Sequence, residues 1–194
     1  MRIVVSILVI LLLIFQKSGA QDNTIHKTFE LSSIHVDSTS IISWASKISV
    51  ERGYLNISDK GLGLAESGDN ENGIGKADGY TVSLGDSGVA VVGFDMPVKN
   101  IPGDDFAVFE NSFDGSFLEL AFVEVSSDSL RWVRFPSESL TPTDIQIDSY
   151  GLINPVNINN LAGKFKVFFG TPFDLEVLAD SADIDLNDIR FVRI

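Results

Sequence analysis

The 194-residue chain contains no cysteine. Disulfides are therefore unavailable, and zinc or iron–sulfur sites built on thiolates are excluded. Stability has to come from core burial, with a metal ion as the one available aid. There are two histidines, His26 and His35, too few for a histidine-rich metal site. Neither lies near a nucleophile elbow, which leaves a Ser-His-Asp centre without its base. Basic residues are scarce: 14 Lys and Arg stand against 27 Asp and Glu, a net charge of −13. That balance disfavours nucleic acid, where basic contacts carry most of the affinity, and anionic lipid surfaces. It suits divalent cations, and it equally suits plain solubility.

The first residues, "MRIVVSILVILLLIFQKSGAQD", have a basic Arg2, an apolar run from Ile3 to Phe15 and small residues at Ser18-Gly19-Ala20. This is the three-part layout of a secretory signal peptide cut after Ala20. The run is short for a membrane span, which needs about 20 apolar residues. No cysteine follows it to take a lipid anchor. Cleavage would leave residues 21–194 as a single domain, and with Arg2 and Lys17 removed the balance becomes 12 basic against 27 acidic residues, net −15. A chain of that length can bury one sizeable core.

Further along, "FELSSIHV" reads as an imperfect first strand. In "STSIISWASKISVERG", Ile41, Trp44, Ala45 and Ile48 fall at helical spacing behind a possible N-cap at Ser40, which predicts one short N-terminal helix ending near Gly53. Residues 56–79 are dense in Gly, Asp, Asn and Ser and predict a long loop; "GLGLAESG" within it has no flanking strand and helix and is not a phosphate-binding fingerprint. "YTVSLGDSGVAVVGFDMPV" reads as a hairpin around Gly85-Asp86-Ser87-Gly88. "DDFAVFEN", the two halves of "FLELAFVEVSSDSLRWVRFP" around Ser127-Asp128-Ser129, "KFKVFFG" and "DIRFVRI" complete a series of short strands. Regular turns with almost no helical period predict an all-β sandwich.

The segment Gly103–Pro136 holds six phenylalanines and seven acidic residues. Alternation puts Phe106, Val108 and Glu110 on one face, with Ala107, Phe109 and Asn111 on the other. Phe117, Glu119, Ala121, Val123 and Val125 share a further face, opposite Leu118, Leu120, Phe122 and Glu124. Both faces of each strand are largely apolar, so Glu110 and Glu119 interrupt surfaces that look buried. A buried carboxylate must be paired, hydrogen-bonded or metal-bound. Arg131 and Arg134 across the hairpin are candidate partners, calcium is another, and exposed strand ends would need neither.

The phrases "VSLGDSGVAVVGFDMPVKNIPGDDFAVFEN", "FLELAFVEVSSD", "NLAGKFKVFFGTPFDL" and "FVRI" resemble a family of exported, Bacteroidetes-like bacterial cell-surface proteins of poorly defined function. The likeness runs from about Trp44 to Ile194. It implies an extracellular β-sandwich akin to jelly-roll, galactose-binding or discoidin-like modules, and no established enzyme activity. Two departures stand out. Ser129 occupies a place where the family usually has glycine. The family also usually continues past "VRI" into another strand, so this chain is expected either to be a fragment or to lack a closing strand, leaving an exposed sheet edge. With a bacterial resemblance, the sequon Asn56-Ile57-Ser58 reads as a chance match.

Three functional readings follow. The first is a secreted or cell-surface binding module, calcium-stabilised and glycan-binding. Its metal candidates are Asp104, Asp105, Glu110, Asn111, Glu119 and Asp174. Its ligand-stacking candidates are Trp44, Tyr54, Tyr80 and Trp132, though each taken alone reads more readily as core, since aromatics dominate burial. The second is a glycoside hydrolase using Glu110 and Glu119, since such enzymes hold two carboxylates about 5–10 Å apart. The third is a structural or adhesive surface protein with no small ligand.

Overall fold

The computed structural model describes residues 27–144, 147 and 151–194. The signal peptide predicted over residues 1–20, and His26, lie outside them. Ten strands are present among the described residues: β1 (Ile34–His35), β2 (Lys47–Glu51), β3 (Val89–Val98), β4 (Phe106–Val108), β5 (Glu124–Ser126), β6 (Val133–Arg134), β7 (Glu138–Ser139), β8 (Ile158–Asn159), β9 (Phe169–Phe173) and β10 (Ile189–Arg193). Every pairing between them is antiparallel. The remaining ordered elements among the described residues are short 3₁₀ turns, and the fold they build is all-β.

The largest sheet has the order β2-β3-β10-β5-β6. Its register aligns one apolar side chain from each strand: Ile48, Val92, Val192, Val125 and Val133. The next row, Ser49, Val91, Arg193, Glu124 and Arg134, faces the other way, as the period of two requires. β-Branched residues fill the inner row because they pack well on a pleated, half-buried surface. A second sheet, β1-β9-β4, lies over the inner face. Its Phe173 and Phe106 stack at 5.2 Å, and both rings meet Phe135 edge-on. With Val123, Leu175, Leu178 and Ile189 they form one hydrophobic core between the layers. Each fully buried side chain of this size contributes about 1.5–3 kcal/mol, which is how a chain without disulfides holds together. β7 and β8 form a separate two-stranded ribbon.

Several expectations need correction. The predicted N-terminal helix is absent: Lys47–Glu51 is a strand, and Ile48 and Val50 alternate with the more exposed Lys47, Ser49 and Glu51. Ile42, inside the supposed helix, is 90% exposed. The hairpin around Gly85–Gly88 is only half real. The turn exists, with Gly88 N–H bonded to the Gly85 carbonyl and Ser87 at φ 64°, but residues 80–84 form no strand, and β3 pairs with β2 and β10 instead. The "KFKVFFG" strand starts later, at Phe169, because Phe168 takes φ 69°. The β5–β6 hairpin is present but short. Ser129 in its turn adopts φ 63°, the left-handed conformation a glycine enters freely. β10 lies between β3 and β5, and the edges of this sheet are β2 and β6.

Candidate binding site

A cavity of about 160 Å³ opens beside the β4–β9 pair. Asp104 reaches it from the turn before β4, Thr171 and Pro172 from β9, Asp174 from just beyond β9, and Asn159 from β8 with Asn160 following. Glu30 and Ser32 come from the chain ahead of β1, and Lys164 and Phe165 from the segment ahead of β9. Strand pairing fixes this convergence: Phe106 opposite Phe173 brings the acidic turn before β4 to the end of β9. Gly163, at φ 79°, lets the chain pass so close to the Glu119 carbonyl that a Cβ there would collide with it. That passage delivers Lys164 to the cavity wall.

The polar groups here are unequally occupied. Asp105 is committed to structure: its Oδ1 accepts the Ile101 N–H at 2.8 Å and its Oδ2 the Leu175 N–H at 2.8 Å. Asp174 caps the following 3₁₀ turn by accepting the Glu176 N–H at 2.9 Å. Partial burial, then the charges of Asp174, Asp105 and Glu30, push the Asp104 carboxyl above its usual range. Lys164 is only 6% exposed. Its backbone N–H donates to Thr171 Oγ1 at 3.2 Å, and its Nζ donates to the Glu30 carbonyl oxygen at 3.0 Å. It forms no ion pair among the described residues, and burial pushes its ammonium pKa down.

The six predicted metal candidates therefore divide. Asp104, Asp105 and Asp174 gather at one end of β4, while Glu110, Asn111 and Glu119 belong to the other, about 20 Å of extended chain away. Glu119 and Asn111 are exposed, so the concern over a buried Glu119 does not hold. Glu110 is half-buried. Its Oε2 accepts the Ser112 N–H at 2.7 Å, while Oε1 is buried with no hydrogen-bond partner. Burial pushes its carboxyl up; hydrogen bonds from Ser112 and Asn111 oppose this, and the charge of Glu119 adds to it. Neither predicted arginine serves these acids. Arg131 pairs with Asp128, and Arg134 and Arg193 both pair with Glu124. Among the described residues, no group of three or more His, Cys, Asp or Glu is placed to hold a metal ion.

The four aromatic candidates are dispersed, and no ring contact among the described residues joins any two of them. Trp44 packs against Phe109 at 5.3 Å. Tyr54 lies under the Lys60 ammonium, 4.8 Å from its ring centre. Tyr80 is 72% exposed. Trp132 points outward, covered by the Arg193 guanidinium at 4.3 Å, with its indole N–H donating to the Ser129 carbonyl oxygen. A larger cleft of about 390 Å³, lined by His35, Val36, Asp37, Lys76, Ala77, Asp78 and Phe168, contains none of the predicted site residues.

Sequence reasoning missed Lys164, Glu30, Asn159, Asn160 and Thr171. One signal was available. Lys164 opens the apolar run "KFKVFFG", and a charge set against such a run is the kind of interruption that singled out Glu110. Comparison of the chain with models of protein families, with curated proteins and with solved structures finds no match.

Proposed function

We propose that the protein is a secreted or cell-surface β-sandwich binding module for a glycan, of the jelly-roll, galactose-binding-like kind, and that it works without catalysis. The observation supporting this is the polar cavity beside β4 and β9. It gathers carboxylates, amides and a buried ammonium from five separate stretches of chain on a rigid strand scaffold. A few convergent polar groups in a concave site are what orient a ligand. Glycan-array binding by the purified protein tests the reading, and a blank array would remove it.

Calcium enters this proposal at Glu110 and Glu119, where an unpartnered carboxylate oxygen beside a second acid would accept a hard cation. Thermal unfolding with calcium and then with excess chelator checks it. A calcium-dependent rise of several degrees is expected, and coincident curves would dismiss the ion.

The same two acids support a second reading, a carboxylate-pair glycoside hydrolase, because Glu110 is shifted in the direction a general acid needs. Turnover of a chromogenic glycoside, abolished by Glu110→Gln, would favour the hydrolase over the module.

A further inference from the structure

Lys164 and Asp104 line one small cavity and do not pair with each other. Lys164 lies in the buried wall and Asp104 at the exposed mouth; opposite charges lining one cavity attract, the more so where water is excluded. Here the ammonium spends one of its three N–H donors on the Glu30 carbonyl oxygen. Asp104 accepts no hydrogen bond from a described residue, and Asp174 uses one oxygen on its own turn. The cavity thus offers donors from Lys164 and acceptors from Asp104 and Asp174, with the Asn159 amide supplying both.

We infer that this cavity holds the terminal residue of a neutral glycan, with ring hydroxyls bridging Lys164 to Asp104 and Asp174. The inference rests on the binding-module reading and adds a place and a ligand chemistry to it. Adjacent hydroxyls are donor and acceptor at once, so one sugar edge can satisfy an ammonium and a carboxylate that do not reach each other. The Phe165 ring, also in the lining and with its centre 5.8 Å from the Lys164 ammonium, leaves its remaining surface for the apolar side of the sugar. The size limits the occupant: about 160 Å³ lies well below the 300–1,000 Å³ or so of drug-sized pockets, which suits one ring and excludes a chain. The charge selects it further. Three carboxylates, Glu30, Asp104 and Asp174, against one ammonium repel an acidic sugar and leave a neutral one unpenalised.

The test is protein-observed NMR on the purified protein. Methyl glycosides of glucose, galactose and mannose are titrated in turn, with sodium glucuronate as the charged comparator. At least one neutral glycoside is expected to shift the backbone amides of residues 159–165 and 171–174, saturating with a Kd of about 1 mM, ordinary for a single small ligand. Glucuronate should bind at least tenfold more weakly. Asp104→Asn, at an exposed position where folding is not at stake, should weaken the neutral sugar roughly tenfold, the loss expected of one hydrogen bond to a charged group. Lys164→Met should abolish the pocket shifts, and a retained amide spectrum confirms that the variant folds. If no glycoside shifts these amides, or if Asp104→Asn binds like the wild type, the pocket assignment is overturned. Glucuronate binding as tightly as the neutral sugars overturns it equally. A positive glycan array alongside such a failure would leave the module reading standing with its site elsewhere, whereas a blank array would end both.

Discussion

Glu110 keeps one carboxylate oxygen away from water with nothing to bond it. An ionised group in that position opposes folding. Replacement by glutamine removes the charge and keeps an acceptor for the Ser112 N–H. In calcium-free buffer at pH 7, Glu110→Gln is expected to stabilise the protein by about 1 kcal/mol, the low end of the range because part of the carboxylate remains solvent-screened. This is about 2–4 °C in Tm for a domain of this size. The pH dependence follows from the upward shift. The penalty on the wild type is present above the raised folded-state pKa and is gone once pH drops below the ordinary value of 4.5. The gain should therefore shrink with acidification in paired melts of the two proteins, and a gap independent of pH would refute the buried charge. Asp128 behaves oppositely. Backbone N–H groups of Arg131 and then Leu130 hold its carboxyl down at about 2, so its contribution is present above the ordinary 3.8 and is lost as pH falls toward 2. Asp128→Asn should melt lower than the wild type at pH 6 and match it near pH 2. The same turn carries Ser129 at φ 63°. Ser129→Gly should gain about 0.5–1 kcal/mol, as left-handed strain is relieved against the greater chain freedom of glycine, read as a shift in urea midpoint without a change in slope.

At the scale of elements, the long loop is organised by one side chain. Arg52 donates to the carbonyl oxygens of Ser67 at 2.9 Å, Ser83 at 2.6 Å and Gly68 at 2.6 Å. Arg52→Met should release residues 67–83, raising their amide hydrogen exchange while the β3–β10 ladder stays protected, at a cost of about 1–3 kcal/mol. The sequence announced this loop by its Gly, Asp and Asn content but not the arginine that fastens it, which lies outside the loop. The mistaken helix has a related cause. Over Ile41–Ile48 the apolar spacing matches a helix, yet the five residues Lys47–Glu51 also alternate with period two, and their strand is justified only by pairing with β3. Periodicity cannot weigh a partner some forty residues away. The β5–β6 hairpin and β10 were legible because their own alternation and turn chemistry suffice. Beyond Leu118 the alternation expected of Phe117–Val125 slips by one position: Leu118 is buried, as are Val123 and Val125. That slip leaves Glu119 in solvent and away from the core the sequence had assigned it.

For the molecule as a whole, the candidate site was half legible. Asp104 and Asp174 were named from the sequence as metal candidates, and the fold brings both to the lining of one cavity. Lys164 and Glu30 reach the cavity only through contacts between segments 134 residues apart, which no local pattern encodes. The net charge of −13 adds a prediction at this scale. Self-repulsion of the compact state is screened by salt, so 0.5 M sodium chloride should raise Tm at pH 7. A lower Tm in salt would mean that the ion pairs around Glu124 outweigh the general repulsion.

The order β2-β3-β10-β5-β6 also sets a schedule for folding. Until Ile189–Arg193 is available, β2-β3 and β5-β6 are two ribbons with nothing between them, and Val92 waits about a hundred residues for Val192. Pairings so distant in sequence fold slowly. During synthesis the two ribbons of this sheet would therefore stay unjoined until Ile189–Arg193 emerged, which exposes the half-built sheet to chaperones on the way.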